Sequence, residues 1–193
     1  MDKKRLIIGM TGASGAILGI ELLKTLRQAE QVETHLVMSK SAKQTIAMET
    51  DLTPDAVCAL ADACYDEEDM GAAIASGSFK TDGMIVAPCS MKTLAGIACG
   101  YSETLLLRAA DVVLKERRKL VLAVRETPLS SIHLRNMLTL SDMGAVILPP
   151  MMTFYSGAQD TGDMVQHIIG KMLDQFGIDC PMYRRWEGGS HDD

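Results

Sequence analysis

The stretch Leu6-Ile7-Ile8-Gly9-Met10-Thr11-Gly12-Ala13-Ser14-Gly15-Ala16 decides the fold of this chain. It opens with a short apolar run and passes into a turn that carries three glycines at the spacing G-x-x-G-x-x-G. Apolar positions at helical spacing follow, from Ile17 to Leu26. This order predicts a buried strand, a tight turn and a helix N-terminus.

The turn after this first strand is a candidate anion site. Glycine lets backbone N–H groups approach an anion, and the following helix adds unpaired N–H groups and the positive end of its dipole. Ser14 adds a hydroxyl group. The spacing differs from the dinucleotide fingerprint G-x-G-x-x-G, and no acidic residue ends the second strand, so a mononucleotide or a flavin fits better than NAD. The alternative is a capped helix and a tight turn that hold no ligand.

Composition limits the class of protein. The chain has 193 residues, a hydrophobic content of 47% and a formal net charge of −6. We expect residues 1–193 to form a single α/β domain, and the acidic charge argues against a general nucleic-acid-binding protein. No segment reaches the roughly 18 apolar residues of a membrane span, so the expected location is the cytoplasm. The five cysteines lack zinc-site spacing and predict small buried hydrophobes, without a disulfide framework or a structural metal.

Strands and helices alternate along the chain. This alternation predicts an α/β fold with a mostly parallel sheet. The five predicted strands cover residues 6–8, 32–38, 84–87, 120–124 and 145–148. Polar groups at the carboxyl ends of such strands are where ligands of α/β sheets bind.

Three of these strand ends carry candidate ligand groups. Ser39 follows the second strand, and Pro88-Cys89-Ser90-Met91-Lys92-Thr93 follows the third and repeats the design of the first turn. Two such turns side by side would form one anion site, although the alternative for Ser90 by itself is a simple helix cap. Arg125 and Glu126 follow the fourth strand, where a charged pair is costly unless it meets a partner. The alternative for this pair is an internal ion pair at the rim of the sheet.

Other charged groups fall outside the strand ends. Lys115 is a candidate ligand residue at the basic C-terminus of a predicted helix. The other basic residues there need no ligand, because positive charges are favourable at that end of the helix dipole. The acidic run at 66–69 is interpreted as a solvated loop in preference to a metal site. Lys171 lies on the exposed side of the last helix, and the tail with Arg184, Arg185 and Trp186 suggests a subunit contact or a stacking surface.

Nine motifs, in this order, resemble the UbiX-type flavin prenyltransferases, formerly described as small subunits of aromatic-acid decarboxylases. They cover nearly the whole chain and lie at 10–15, 39–40, 49–51, 88–90, 108–111, 115–118, 125–128, 131–134 and 144–149. Two positions depart from the family pattern. Ser102-Glu103-Thr104-Leu105 replaces a common Ser-Asp-Asn-Leu, and Lys171 stands where arginine is frequent, so a point charge replaces a forked phosphate donor.

The resemblance implies a Rossmann-like, flavodoxin-like three-layer sandwich. It also implies transfer of a dimethylallyl group from dimethylallyl monophosphate to reduced FMN, which forms a fourth ring on the isoalloxazine. The product, prenylated FMN, would serve a partner UbiD-type decarboxylase. Family members form homo-oligomers, commonly dodecamers, and the expected catalysis needs no metal.

The resemblance also assigns roles to residues. Glu126 would protonate the departing phosphate, while Ser14 and Glu49 would relay protons. Lys115, Tyr155 and Lys171 would hold the prenyl phosphate, partly across a subunit boundary. The implied flavin contacts are Gly12, Ala13, Ser14, Ser39, Ser90, Met91, Lys92, Thr93 and Arg125.

Two other functions remain as alternatives. One is a flavin-dependent cysteine decarboxylase, whose Pro-x-Met-Asn type clamp is replaced here by Pro150-Met151-Met152-Thr153, without the asparagine. The other is a non-catalytic flavin carrier that serves as an accessory subunit of a decarboxylase.

Overall fold

In the computed structural model, which describes residues 3–154, 157–183 and 185, six parallel strands form one sheet in the order β3-β2-β1-β4-β5-β6. This is the doubly wound Rossmann order. It confirms the predicted α/β class. The strands are β1 (Lys4–Met10), β2 (Val32–Met38), β3 (Ala63–Tyr65), β4 (Gly83–Cys89), β5 (Lys119–Val124) and β6 (Val146–Ile147).

Helices cover both faces of the sheet and complete a three-layer sandwich. The α-helices of the described residues are α1 (Ala16–Arg27), α2 (Lys40–Glu49), α3 (Pro54–Cys58), α4 (Met91–Ala98), α5 (Leu105–Lys115), α6 (Ser131–Asp142) and α7 (Thr161–Asp174). Side chains alternate along β1, so Leu6 and Ile8 pack into one core with α1, α2 and α7, while Ile7 packs into the other with α4 and α5. Because both faces are covered, the central strands are apolar throughout.

Strand β3 is absent from the sequence prediction, which gave five strands. Its three residues pair with β2 at the edge of the sheet, and none of them is fully buried. An edge strand this short carries no apolar run, so hydrophobic periodicity does not reveal it. Tyr65 fixes its place, because its hydroxyl lies 2.8 Å from Nδ1 of the buried His35.

The prediction for the cysteines is wrong for three of the five. Cys58 and Cys64 form a disulfide between α3 and β3, with their Cα atoms 5.5 Å apart, and Cys99 is exposed. Cys89 and Cys180 are buried, as predicted. An odd count rules out complete pairing, but it does not rule out one bridge between two neighbouring elements.

None of the helices formed by residues 3–154 and 157–183 is both long and apolar enough to cross a membrane.

Candidate active site

A cavity of about 470 Å³ lies at the carboxyl edge of the sheet, the edge where the strands end. It lies where β1 and β4 are neighbours and the chain turns to opposite sides, which is the topological switch point where α/β sheets bind ligands. Its volume is in the range of small-molecule sites. We call it the strand-end cavity, and its lining includes Gly12, Ser39, Glu67, Ser90, Lys92 and Thr93.

The turn after β1 needs glycine at two positions. Gly15 caps α1 with a φ of 106°, a left-handed conformation that side chains disfavour. Gly12 lies against the start of α2, where an added Cβ would be 2.3 Å from Cβ of Ser41. These glycines bring the turn against the neighbouring helix. Ala13 is buried below it and Ser14 is exposed.

The N-terminus of α1 is filled by a side chain of the same protein. The Glu49 carboxylate accepts hydrogen bonds from the backbone N–H groups of Gly15 and Ala16, both at 2.9 Å. Sequence reasoning expected these N–H groups to be open for a ligand anion, so this part of the expectation is corrected. The contact joins residues more than 30 positions apart, and their spacing gives no sign of it.

Ser14, Glu49 and Arg125 form one electrostatic group. Partial burial raises the pKa of Glu49. A hydrogen bond with Ser14, the two backbone amides and the positive charge of Arg125 together lower it by more. The pKa of Glu49 is therefore held below its usual value. The structure thus brings together the two residues expected to relay protons and the arginine expected to contact the flavin.

The turn after β4 lies beside the turn after β1. Thr11 links them, because its hydroxyl donates to the carbonyl of Pro88 and accepts from the N–H of Ser90, both at 2.8 Å. Ser90 caps α4 by accepting from the N–H of Thr93 at 3.3 Å. Lys92 lines the strand-end cavity with Ser90 and Thr93, while Met91 packs partly against the core.

Ser39 and Glu67 form the third side of the cavity. Ser39 caps α2 by accepting from the N–H of Ala42 at 3.1 Å. The Glu67 carboxylate accepts from the N–H of Lys40, the first residue of α2. Glu67 belongs to the acidic run predicted as a solvated loop. That prediction is wrong for Glu67, which is half-buried, whereas the other three acidic residues of the run are exposed.

Arg125 and Glu126 lie directly after β5. The backbone N–H of Arg125 donates to the carbonyl of Cys89 at 3.0 Å, which places the pair next to the end of β4. Both side chains are exposed. The ion pairs of the described residues do not include one between Arg125 and Glu126, so the internal pair considered as an alternative does not form.

Two predicted substrate residues lie away from the cavity of their own chain. Helix α5 begins beside the cavity and reaches Lys115 about 15 Å further on, where its ammonium group pairs with Glu116. Lys171 lies near the end of α7, with Nζ 5.8 Å from the ring of Tyr183. That end of α7 faces the amino ends of the strands, since Phe176 packs against Gly83 at the start of β4. Tyr155, Arg184 and Trp186 lie outside the described residues.

The described residues contain no group of three or more histidine, cysteine, aspartate or glutamate side chains arranged to hold a metal ion.

The doubly wound sheet and the cavity at its switch point define a nucleotide-binding α/β protein, and the model of the Flavoprotein family matches residues 1–173. A probable UbiX-like flavin prenyltransferase from Streptomyces sp. (strain D7) is 59% identical over 184 residues, which are 95% of this chain and 92% of that relative. The chain therefore belongs to the UbiX-like flavin prenyltransferases.

Two solved structures share this fold almost throughout. AnUbiX (PadA1), determined in complex with FMN and dimethylallyl pyrophosphate, is 54% identical, with a TM-score of 0.95 and coverage of 97% of this chain and 100% of its own. A dodecameric FMN-dependent Ubix-like decarboxylase from Escherichia coli O157:H7 is 59% identical, with a TM-score of 0.94 and coverage of 95% and 100%.

Proposed function

We propose that this chain joins a dimethylallyl group, taken from dimethylallyl phosphate, to reduced FMN. The product is prenylated FMN, which a UbiD-type decarboxylase uses as its cofactor. One observation supports the proposal most directly: the strand-end cavity lies at the switch point of the sheet and is bordered by three helix N-termini. The cavity alone predicts only that a nucleotide binds. Membership of the flavin prenyltransferases selects prenyl transfer to FMN as the reaction.

The residues around the cavity suit a flavin mononucleotide. Ser90 satisfies only the N–H of Thr93, so within the described part of the chain the N–H groups of Met91 and Lys92 have no partner. Such N–H groups at a helix N-terminus bind phosphate. We assign the flavin contacts to the turn at 12–14, to Ser39, to residues 90–93 and to Arg125. The reduced flavin supplies the electron-rich ring that accepts the dimethylallyl group.

Side chains of the protein would handle the leaving phosphate and the protons. Glu126 would donate a proton to the phosphate as its bond to the dimethylallyl carbon breaks. The hydrogen-bonded Ser14 and Glu49 would carry protons during ring closure. Lys115, Tyr155 and Lys171 would neutralise the phosphate. Since both lysines lie away from the cavity of their own chain, a neighbouring subunit would supply them.

Dimethylallyl monophosphate is the proposed donor, although AnUbiX was determined with the pyrophosphate. The proposed phosphate site gathers Arg125 and two lysines, a set of cations that matches the charge of about −2 on a monophosphate. A pyrophosphate carries more charge and is commonly neutralised by a metal ion.

The working enzyme would be a homo-oligomer, with the dodecamer as the proposed size. Residues 1–193 would act as a single flavin-binding domain in the cytoplasm. A reducing cytoplasm keeps thiols reduced, so this location predicts that the Cys58–Cys64 bridge is reduced to two thiols in the cell. Trapping thiols with an alkylating reagent at lysis, followed by mass analysis, would test the location, and a disulfide recovered from cells would contradict it.

The decisive experiment is anaerobic incubation of the protein with reduced FMN and dimethylallyl monophosphate, followed by mass analysis of the flavin. We expect the flavin mass to rise by one five-carbon unit, with a slower reaction when the pyrophosphate replaces the monophosphate. A flavin carrier would bind FMN and leave the prenyl phosphate unconsumed. A cysteine decarboxylase would instead release carbon dioxide from a peptide that ends in cysteine.

A further inference from the structure

Helices α2, α4 and α5 begin at the wall of the strand-end cavity, and their N-termini are not equivalent. The Glu67 carboxylate accepts from the first N–H group of α2, and the Glu67 carbonyl accepts from the first N–H group of α5. Among the described residues, helix α4 is capped only by its own Ser90. Glu67 therefore already accepts from an N–H group at two of the three helix N-termini that line this cavity.

The position of Glu67 is fixed by the loop that carries it. Its backbone carbonyl accepts a hydrogen bond from the N–H of Leu105 at 2.8 Å, at the first residue of α5. The preceding residue, Asp66, lies 3.8 Å from the ammonium group of Lys43 on α2. The loop is thus attached to two helices, and it holds the half-buried carboxylate at the cavity wall.

We propose that Glu67 determines how the enzyme holds the phosphate of its flavin. By filling the N-terminus of α2, Glu67 removes a competing anion site and directs the phosphate to the N-terminus of α4. Its negative charge also weakens the binding of any phosphate-bearing flavin in the same cavity. The inference rests on the proposed function, in which the flavin is a substrate and its product must leave.

Release explains why a carboxylate is useful in a phosphate-binding cavity. Substrate and product carry the same phosphate, so each cation that strengthens substrate binding also slows the departure of the product. Product release limits the turnover of many enzymes. A carboxylate at one wall lowers the affinity for both flavins without removing the contacts that orient the ring.

The test compares FMN with riboflavin, which lacks the phosphate, in Glu67→Gln. Glutamine keeps an oxygen that accepts from the N–H of Lys40 and removes only the charge. We expect the Kd of FMN to fall about three- to tenfold, because one repulsive charge is removed from a partly solvated cavity. The Kd of riboflavin should stay at its wild-type value. Fluorescence titration of the oxidised flavins measures both constants.

Glu68→Gln is the matched control, because it removes the same charge from the next residue, whose side chain is exposed and does not line the cavity. We expect wild-type constants for both flavins in this variant. Glu67→Asp keeps the charge and should retain the FMN affinity of the wild type. If Glu67→Gln does not fold, Glu67→Ser replaces it, because serine also removes the charge. A wild-type Kd of FMN in Glu67→Ser would overturn the inference.

Turnover provides a second readout. In Glu67→Gln we expect the rate of the first turnover to be unchanged. The steady-state rate should fall by about the same factor as the Kd of FMN, because the product leaves more slowly. The inference is overturned if the FMN constant is unchanged, or if riboflavin or Glu68→Gln shows the same gain. These affinity measurements remain decisive even if the wild type does not prenylate FMN, an outcome that would reject the proposed function alone.

Discussion

A single carboxylate, Glu49, links local structure to the proposed chemistry. It caps α1 through two backbone amides, it pairs with Ser14, and it lies in the field of Arg125. Sequence motifs place Glu49 within a family pattern, yet they give no reason for its charge. The folded chain supplies that reason, since the carboxylate compensates the positive end of the α1 dipole.

Glu49→Gln should lower stability only where Glu49 is ionised. The folded-state pKa lies below the usual value of 4.5, so the stabilisation is fully present above about that pH and is lost as the pH falls through the folded pKa. Because the side chain is exposed, solvent screens the effect to about 1 kcal/mol or less. Urea unfolding at about pH 7 should show a lower free energy of unfolding than wild type, and this difference should shrink as the pH is lowered below 4.5.

Glu126→Gln tests the assignment of the acid for the leaving phosphate. The side chain is exposed after β5 and contacts only the N–H of Thr127 among the described hydrogen bonds, so the fold does not depend on it. We expect normal FMN binding and a prenyl transfer rate lowered about a hundredfold or more, the usual scale for losing a general acid. Anaerobic single-turnover kinetics measures the rate. A near-normal rate would remove Glu126 from the mechanism.

At the scale of elements, the sequence predicts the central strands better than the edges. The predicted bounds of β2 agree with the structure, because both faces of this strand are covered and most of its residues are buried. Strand β3 and the Cys58–Cys64 bridge were missed, since both depend on contacts at the edge of the sheet. The role of Glu67 was missed because a contact across 27 residues leaves no local pattern.

Helix α6 presents apolar side chains that the described residues of its own chain leave exposed. Of its twelve residues only Leu140 is buried, while Ile132, Leu134 and Leu138 are 63%, 52% and 62% exposed. Leu134 and Leu138 lie four positions apart on one face of the helix, and large apolar side chains together in contact with water are typical of a protein–protein interface. In a homo-oligomer this helix is a natural contact between copies of the chain.

Leu138→Lys should therefore weaken the oligomer more than the fold. A charge buried at an apolar contact opposes association, whereas on a free surface it changes stability by less than about 0.5 kcal/mol. Size-exclusion chromatography with light scattering should show smaller species that keep a wild-type circular dichroism spectrum. Gln44→Lys adds the same charge at an exposed position of α2 and is the control. An unchanged oligomer in Leu138→Lys would place the interface elsewhere.

At the scale of the whole molecule, the proposed site is incomplete within one chain. Glu126 lies at the carboxyl edge of the sheet, whereas α7 carries Lys171 toward the opposite edge. If one site combines Glu126 of one subunit with Lys171 of the next, two inactive variants should complement each other.

Mixed oligomers test this arrangement. Lys171→Ala alone should weaken the dependence on prenyl phosphate much more than FMN affinity, because Lys171 is assigned to the prenyl phosphate and not to the flavin. Lys171→Ala and Glu126→Gln chains, unfolded and refolded together, should recover part of the lost activity, since some shared sites then contain both native residues. Each variant refolded alone is the control. The absence of recovery in confirmed mixed oligomers would mean that each chain builds its own site.

The last prediction is that catalysis needs no divalent metal. Prenyl transfer from a diphosphate commonly uses magnesium held by aspartates, because the ion neutralises the dense charge of the leaving group. A monophosphate carries about −2, which Arg125, Lys115 and Lys171 can neutralise together.

We therefore expect full activity with monophosphate in the presence of EDTA, and equal activity after Asp66→Asn and Asp69→Asn are combined. Asparagine keeps the oxygens that accept from the N–H groups of Glu68 and Gly71 in this loop, so the double variant changes charge without removing those contacts. Turnover measured anaerobically with and without the chelator decides the matter. The prediction would be contradicted if EDTA abolished turnover and magnesium restored it. If the double variant also lost activity, the acidic run would be a metal site.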